Sequence, residues 1–278
     1  NAPRYKLELP LAKIAYIRAA ALTPDSAQAH ASIAAAALAL GDPKKAARIC
    51  DGFLTSHPQN GLVSACRLVV AATLGEKELC PEPKNLIGFF WPGIPDGYKS
   101  IDVFNDELCS YVCAHRSLSF APTSHATRNA QHSGDLASPG CPAMAAFQVM
   151  VREALSDFLS TRIDDTYYQI PLHAPRLNAW GVIMRRGGHQ VPHIHPPAWI
   201  SGVYYPSVPN WNADNGNAGS IRFGEFGREF TTVAKAKTYS FLPETGQLVL
   251  FPSWLYHRTI PMVDNALRIS IAFDFTLV

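Results

Sequence analysis

Apolar positions recur at two different periods along this chain, and the change of period divides it. In the first third the spacing is three to four residues: Ala12, Tyr16 and Ala19, then Ala46, Cys50 and Phe53. That spacing marks one face of an α-helix. Gly41 and Asp42 form a turn signal, which predicts helices over 30–40 and 43–56. Met144, Phe147, Val151, Leu155 and Phe158 keep the same period and predict a long amphipathic helix over 142–160. A shorter helix is expected to open at Asn105, Asp106 and Glu107 and to carry Cys109 and Cys113 on its packed face. From Leu177 onward the pattern becomes short β-prone runs broken by Gly, Pro and Asn, at 180–184, 199–205, 220–223, 239–242, 248–251, 257–261 and 267–275. Short strands at such intervals predict a sandwich, barrel or jelly roll. Between the two later helices, 117–141 is rich in Ser, Thr, Ala, Pro and Gly and reads as a long loop or a lid.

The helical third carries a longer repeat. Pro24 and Pro58 stand 34 residues apart, each closing a helical stretch, and Ala12 and Ala46 occupy equivalent positions. A third unit begins near Gly61 and is lost after Gly75. This period, with its alanine and terminal proline, resembles tetratricopeptide repeats. The resemblance implies a concave surface for a peptide or partner protein. Alternatively, the helices cap the next domain or form a homodimer contact. The chain opens inside a repeat, which suggests part of a longer array. The expected organisation is helical repeats over 1–80, a Pro-rich packed linker over 81–100, and a β-rich domain over 101–278.

Composition narrows the partners. Hydrophobic residues at 47% and charged residues at 17% supply a sizeable core and exclude wholesale disorder. Lys+Arg 24 against Asp+Glu 22 leaves a net charge of +2, so no electrostatic footprint for nucleic acid or an anionic membrane exists. No apolar run approaches the ~20 residues that cross a bilayer. The 6 cysteines lack CxxC spacing and read as free thiols in a reducing compartment, hence a cytoplasmic location.

The candidate chemistry lies in the strands. His193 and His195 are two apart, and on a strand residues i and i+2 point to one side. Both imidazoles can then reach one metal ion, with His257 as the remote third. A His-x-His pair alone is a weak signal; solvated or core histidines explain many such pairs. Three ligands on one face of an iron leave positions for a 2-oxo acid and dioxygen. Arg268 and Ser270 follow on a single strand face, where a guanidinium fork and a hydroxyl can grip the acid's far carboxylate. His189 reads as a loop residue or one that braces a ligand, and Arg185 and Arg186 as exposed strand-end residues with a substrate contact as the alternative. His30, His57, His115, His125, His132 and His173 read as structural.

These segments carry a family resemblance. The stretch from Gly187 to Pro196, the SGVYY run from Ser201 to Tyr205, the run from Gly246 to His257 with its FPSWL-x-H core, and Arg268-Ile269-Ser270 resemble the 2-oxoglutarate/Fe(II) oxygenases. The likeness is strong over 177–277 and weaker over 101–176. It implies an α+β chain whose oxygenase domain is a double-stranded β-helix with flanking helices. It further implies Fe(II) at His193, His195 and His257, and 2-oxoglutarate at Arg268 and Ser270 with Tyr204 or Tyr205 as a further contact. The implied activity is a dioxygenase that hydroxylates an unactivated C–H bond of a peptide, carrier-bound or small-molecule substrate.

The sequence departs from the wider pattern at one place, where His195 replaces a carboxylate ligand. Three outcomes stay open: a working three-histidine centre, two ligands with His195 standing back, or a carboxylate from elsewhere such as Glu225. Two other functions compete. One is a non-catalytic helical-repeat binding protein with a degenerate oxygenase domain. The other is a three-histidine cupin-type dioxygenase, which has no use for the Arg268–Ser270 clamp.

Overall fold

A computed structural model describes residues 23–123, 125–137, 141–169, 173–211, 216–227, 230 and 237–277. The first repeat unit, with Ala12, Tyr16 and Ala19, lies outside the described residues. Helices α1 (Ala27–Ala39), α2 (Pro43–Ser56) and α3 (Gly61–Leu74) pack on one another. Each starts on a side-chain cap: Ser26 accepts from the Ala29 N–H, Asp42 from Lys45 and Asn60 from Val63. Gly75 ends α3 in the left-handed conformation that favours glycine. Ala34, Ala37, Ala46, Cys50, Val63 and Val69 form their shared core, and Phe226 and Tyr256 from the β-rich part join it. Three helices make one pair and a half, so a tetratricopeptide repeat is not established by them.

Helix α4 (Ile101–Ala114) begins earlier than the acidic residues suggest, because Ser100 accepts a hydrogen bond from the Val103 N–H and caps it. Helix α5 (Pro142–Ser160) falls on the predicted bounds. Among the described residues no helix is long and apolar enough to cross a membrane. All six cysteines are free.

The strands are β1 (Gly88–Phe90), β2 (Ser119–Phe120), β3 (Thr127–His132), β4 (Arg176–His193), β5 (Ile200–Ser207), β6 (Ile221–Phe223), β7 (Tyr239–Phe241), β8 (Leu248–Pro252), β9 (His257–Thr259) and β10 (Arg268–Thr276). They pair antiparallel in the order β1-β8-β5-β10-β4-β9-β6-β7, with β3 also on β4 and β2 on β3. Strand β4 belongs to both halves. Its first part, Arg176 to Met184, pairs with β10, whereas Gln190 and His193 pair with β9. It bends between them at Gly187, whose φ of 78° suits glycine, and Gly188, where a Cβ would press on the Arg185 carbonyl. Two four-stranded faces result, β8-β5-β10-β4 and β4-β9-β6-β7, curled into the double-stranded β-helix.

Strands β1, β2 and β3 have no counterpart in the sequence pattern. Strand β3 occupies the Ser/Thr-rich stretch that reads as a loop, and its template is the backbone of β4 and β2. The Pro-rich segment folds through Pro83 and Ile87, both buried, into β1, which pairs with β8.

Alternation along β10 separates two environments. Ile269, Ile271, Phe273 and Phe275 face outward into a core with Phe104 and Leu108 of α4 and Phe147 and Val151 of α5. Complete burial of such a side chain contributes about 1.5–3 kcal/mol. The opposite parity, Arg268, Ser270 and Asp274, faces into the barrel. There the walls include Val203, Tyr205, Phe223, Val249, Phe251 and Leu255.

Candidate metal centre

Strand pairing assembles three imidazoles. His193 at the end of β4 sits opposite His257 at the start of β9. His195 lies two residues past β4. Its N–H donates to the Ser253 carbonyl at 3.1 Å, and its own carbonyl accepts from Ala198 at 2.8 Å. Ring centroids are 4.3 Å apart for His193–His257 and 4.9 Å for the other two pairs. One nitrogen from each ring lies within 4.8 Å of the others. The Phe251 ring closes against His257 at 4.7 Å.

The hydrogen bonds settle the tautomers. His193 Nδ1 meets the Val191 carbonyl at 2.8 Å, and His257 Nδ1 meets the Leu255 carbonyl at 2.9 Å. His195 Nδ1 meets Asp274 Oδ1 at 2.9 Å. Carbonyl and carboxylate oxygens only accept, so each Nδ1 carries a proton and Nε2 is the nitrogen each neutral ring can offer to a metal. Burial lowers the pKa of His193 to about 3, with the neighbouring His195 adding to the effect. Burial, then His193 and His195, hold His257 well below the usual histidine range. Imidazole nitrogens gathered at one point are drawn together by a cation placed between them. The donor set suits a divalent transition metal such as Fe(II).

The Arg268 guanidinium is a second unsatisfied feature. Arg268 is 2% exposed, and no carboxylate pairs with it among the described residues. Among the described residues its Nη1 reaches Met184 Sδ at 3.3 Å and Ser270 Oγ at 3.4 Å, and its Nε has no partner. The charge lies over the Tyr205 ring at 5.0 Å, and among the described residues the buried Tyr205 hydroxyl likewise has no hydrogen-bond partner. Burial lowers the arginine pKa, partly offset by Tyr205, and raises that of Tyr205. A buried cation beside idle donors fits an anion, and a carboxylate matches the guanidinium fork.

The structure distinguishes between the predicted tyrosines. Tyr205 faces Arg268, whereas the Tyr204 hydroxyl donates to Asn105 Oδ1 of α4 at 2.6 Å, on the opposite side of β5. Glu225 lies apart from the cluster, because Arg258 at 2.7 Å and Arg222 at 3.4 Å engage its carboxylate. His189 sits on β4, bonded to the Gly187 carbonyl. Trp199 belongs to the outer core, with its Nε1–H on the Tyr167 carbonyl.

A cavity of about 530 Å³ opens onto two of the imidazoles, lined by His193, His195, Trp180, Asn178, Gln190 and Asp274 among others. His125 and His132, read from sequence as structural, also line it, their rings 4.2 Å apart. Burial, then His125, lowers the His132 pKa to about 4. Arg268 and Ser270 do not contribute to this wall. The residue that sequence reasoning missed is Asp274. Its signal was parity: it shares the inward face of β10 with Arg268 and Ser270 and is the acidic residue of that strand.

Residues 178–274 match the family model described as "Putative 2OG-Fe(II) oxygenase", a span containing all three histidines, Arg268 and Asp274. No curated protein sequence matches the chain. Among solved structures, it is similar to a prolyl-4-hydroxylase from Pseudomonas putida at 15% identity, covering 76% of this chain and 99% of that one, with a TM-score of 0.48. A Trichoplax adhaerens prolyl hydroxylase, in complex with a hypoxia inducible factor peptide fragment, is 16% identical over 77% of this chain and 90% of that one, TM-score 0.48. HygX from Streptomyces hygroscopicus, with nickel and 2-oxoglutarate bound, is 14% identical over 69% and 85%, TM-score 0.41.

Proposed function

We propose that the chain is an Fe(II)- and 2-oxoglutarate-dependent oxygenase that hydroxylates an unactivated C–H bond. One observation carries the reading. Within one barrel, three imidazoles share a point, and a buried guanidinium lacks an anionic partner among the described residues. His193, His195 and His257 would hold the iron. Arg268, with Ser270 and Tyr205, would receive the far carboxylate of 2-oxoglutarate. When bound, Fe(II), 2-oxoglutarate and dioxygen together supply the oxidant that converts C–H to C–OH, with succinate and CO2 as co-products.

The residues of this chain do the rest. Backbone carbonyls of Val191 and Leu255 hold two rings in the ligating tautomer. Phe223 and Phe251 shield His257 from water. The cavity beside Trp180 and Asn178 takes the substrate. The Asn178 Oδ1 atom is buried there with no donor among the described residues, which suits a substrate bearing N–H or O–H, such as a peptide side chain. Helices α1 to α3, read as part of a repeat array, would present the peptide-bearing partner.

The test is co-substrate turnover. With Fe(II), 2-oxoglutarate and ascorbate, wild-type protein should form succinate and His257→Ala should not. Metal binding without 2-oxoglutarate binding would favour the cupin-type alternative. Binding of neither would leave a non-catalytic scaffold.

A further inference from the structure

The three imidazoles are not held alike. His193 and His257 donate to neutral backbone carbonyls two residues earlier in the chain. His195 alone donates to a carboxylate, Asp274, 79 residues away on β10. That carboxylate is itself fixed, since Oδ1 also accepts from the Ser201 hydroxyl at 2.6 Å. Neither side chain is open to solvent: His195 is 12% and Asp274 16% exposed. A partly buried carboxylate is costly unless its charge is used. Its only charged or potentially charged partner among the described residues is this imidazole.

The position of the pair gives it meaning. His195 occupies the place where the wider resemblance has a carboxylate ligand, so the centre lacks one negative charge at the metal. We infer that Asp274, acting through His195, returns that charge from one residue further out, as a positioning residue that holds the ring and strengthens metal binding. The inference rests on the metal-centre reading above. It requires no contact between Asp274 and the ion. A carboxylate hydrogen-bonded to a ligating imidazole raises the ligand's basicity, and removing such a partner typically lowers metal affinity about 10–100-fold.

A merely structural role would make different predictions, and charge arithmetic separates them. Asn accepts the same hydrogen bonds as Asp without the charge, so Asp274→Asn preserves the contact. Cobalt(II) titration of the full chain by calorimetry should show Asp274→Asn weakened about 10–100-fold, with the melting temperature of the metal-free protein unchanged or raised. Ser201→Ala should weaken binding in the same direction by less. The route of the effect is tested by removing the imidazole. His195→Asp takes away the ring through which Asp274 acts, so in that background Asp274→Asn should change cobalt affinity by much less than in wild type. A contact that matters only for the fold would give the same loss in both backgrounds.

If wild-type protein binds cobalt(II) and Asp274→Asn binds it equally well, the inference is overturned while the metal centre stands. It is overturned in the same way if Asp274→Asn weakens binding equally in both backgrounds. Wild-type protein that binds no cobalt(II) overturns the metal centre and this inference with it.

Discussion

Replacing Arg268 by Met separates stability from ligand binding. The guanidinium is 2% exposed and has no carboxylate within ion-pair distance among the described residues. Moving such an ion out of water costs several kcal/mol. Against this stands a cation–π contact with Tyr205, about 2 kcal/mol when desolvated. Two polar contacts, to Met184 and Ser270, add about 1 kcal/mol each. The sum leaves the charge unfavourable in the ligand-free protein, and Met fills a similar volume without it. Arg268→Met should therefore stabilise the ligand-free protein by about 1–3 kcal/mol, raising its melting temperature by about 2–4 °C per kcal/mol. The same change removes one partner of a buried charge pair with 2-oxoglutarate. That costs about 2–5 kcal/mol, or at least ~30-fold in Kd. Urea unfolding of the metal-free protein gives the first quantity, and calorimetric titration of the cobalt(II) form with 2-oxoglutarate gives the second. Cobalt affinity should not change. A variant less stable than wild type by more than about 1 kcal/mol, or one that binds 2-oxoglutarate as tightly, refutes the reasoning.

The two tyrosines of β5 should respond in opposite ways. Tyr204→Phe loses the bond to Asn105 and about 1 kcal/mol of stability without affecting 2-oxoglutarate binding, whereas Tyr205→Phe spares stability and weakens that binding. His132 has its folded pKa lowered to about 4 from 6.5, so the unfolded chain takes up the proton first as pH falls. Its contribution is complete above pH 6.5 and is lost towards pH 4. Between pH 7.5 and pH 5, urea titrations should show His132→Gln losing about 2 kcal/mol less than wild type. At Gly202 an added Cβ would overlap the Phe273 ring and Leu250, so Gly202→Ala should lower stability by about 1–3 kcal/mol in thermal unfolding.

Much of the architecture is legible in the sequence because it is written locally. Helix α5 and most strands follow from apolar spacing alone, and α2 also from the Gly41-Asp42 turn before it. Strand β3 is hidden because Thr127 to His132 has no apolar alternation of its own, and it becomes a strand only on the β4 backbone. The apolar pattern marks only a short central piece of β4, whose full length is greater because glycines at its bend mimic a strand end. The histidine pair and its third member are visible as a spacing, and Arg268 and Ser270 as a parity.

By itself, the sequence determined the spacing of His193, His195 and His257 and the shared parity of Arg268 and Ser270, since period and residue type are properties of neighbouring positions. Only the tertiary structure decided that Tyr205 rather than Tyr204 meets the guanidinium, that Glu225 is already engaged by two arginines, and that Asp274 reaches His195 across 79 residues. Those contacts depend on strand register and on the direction in which β4 bends. Register is set by many weak backbone pairings acting together, and no short run of residues encodes it.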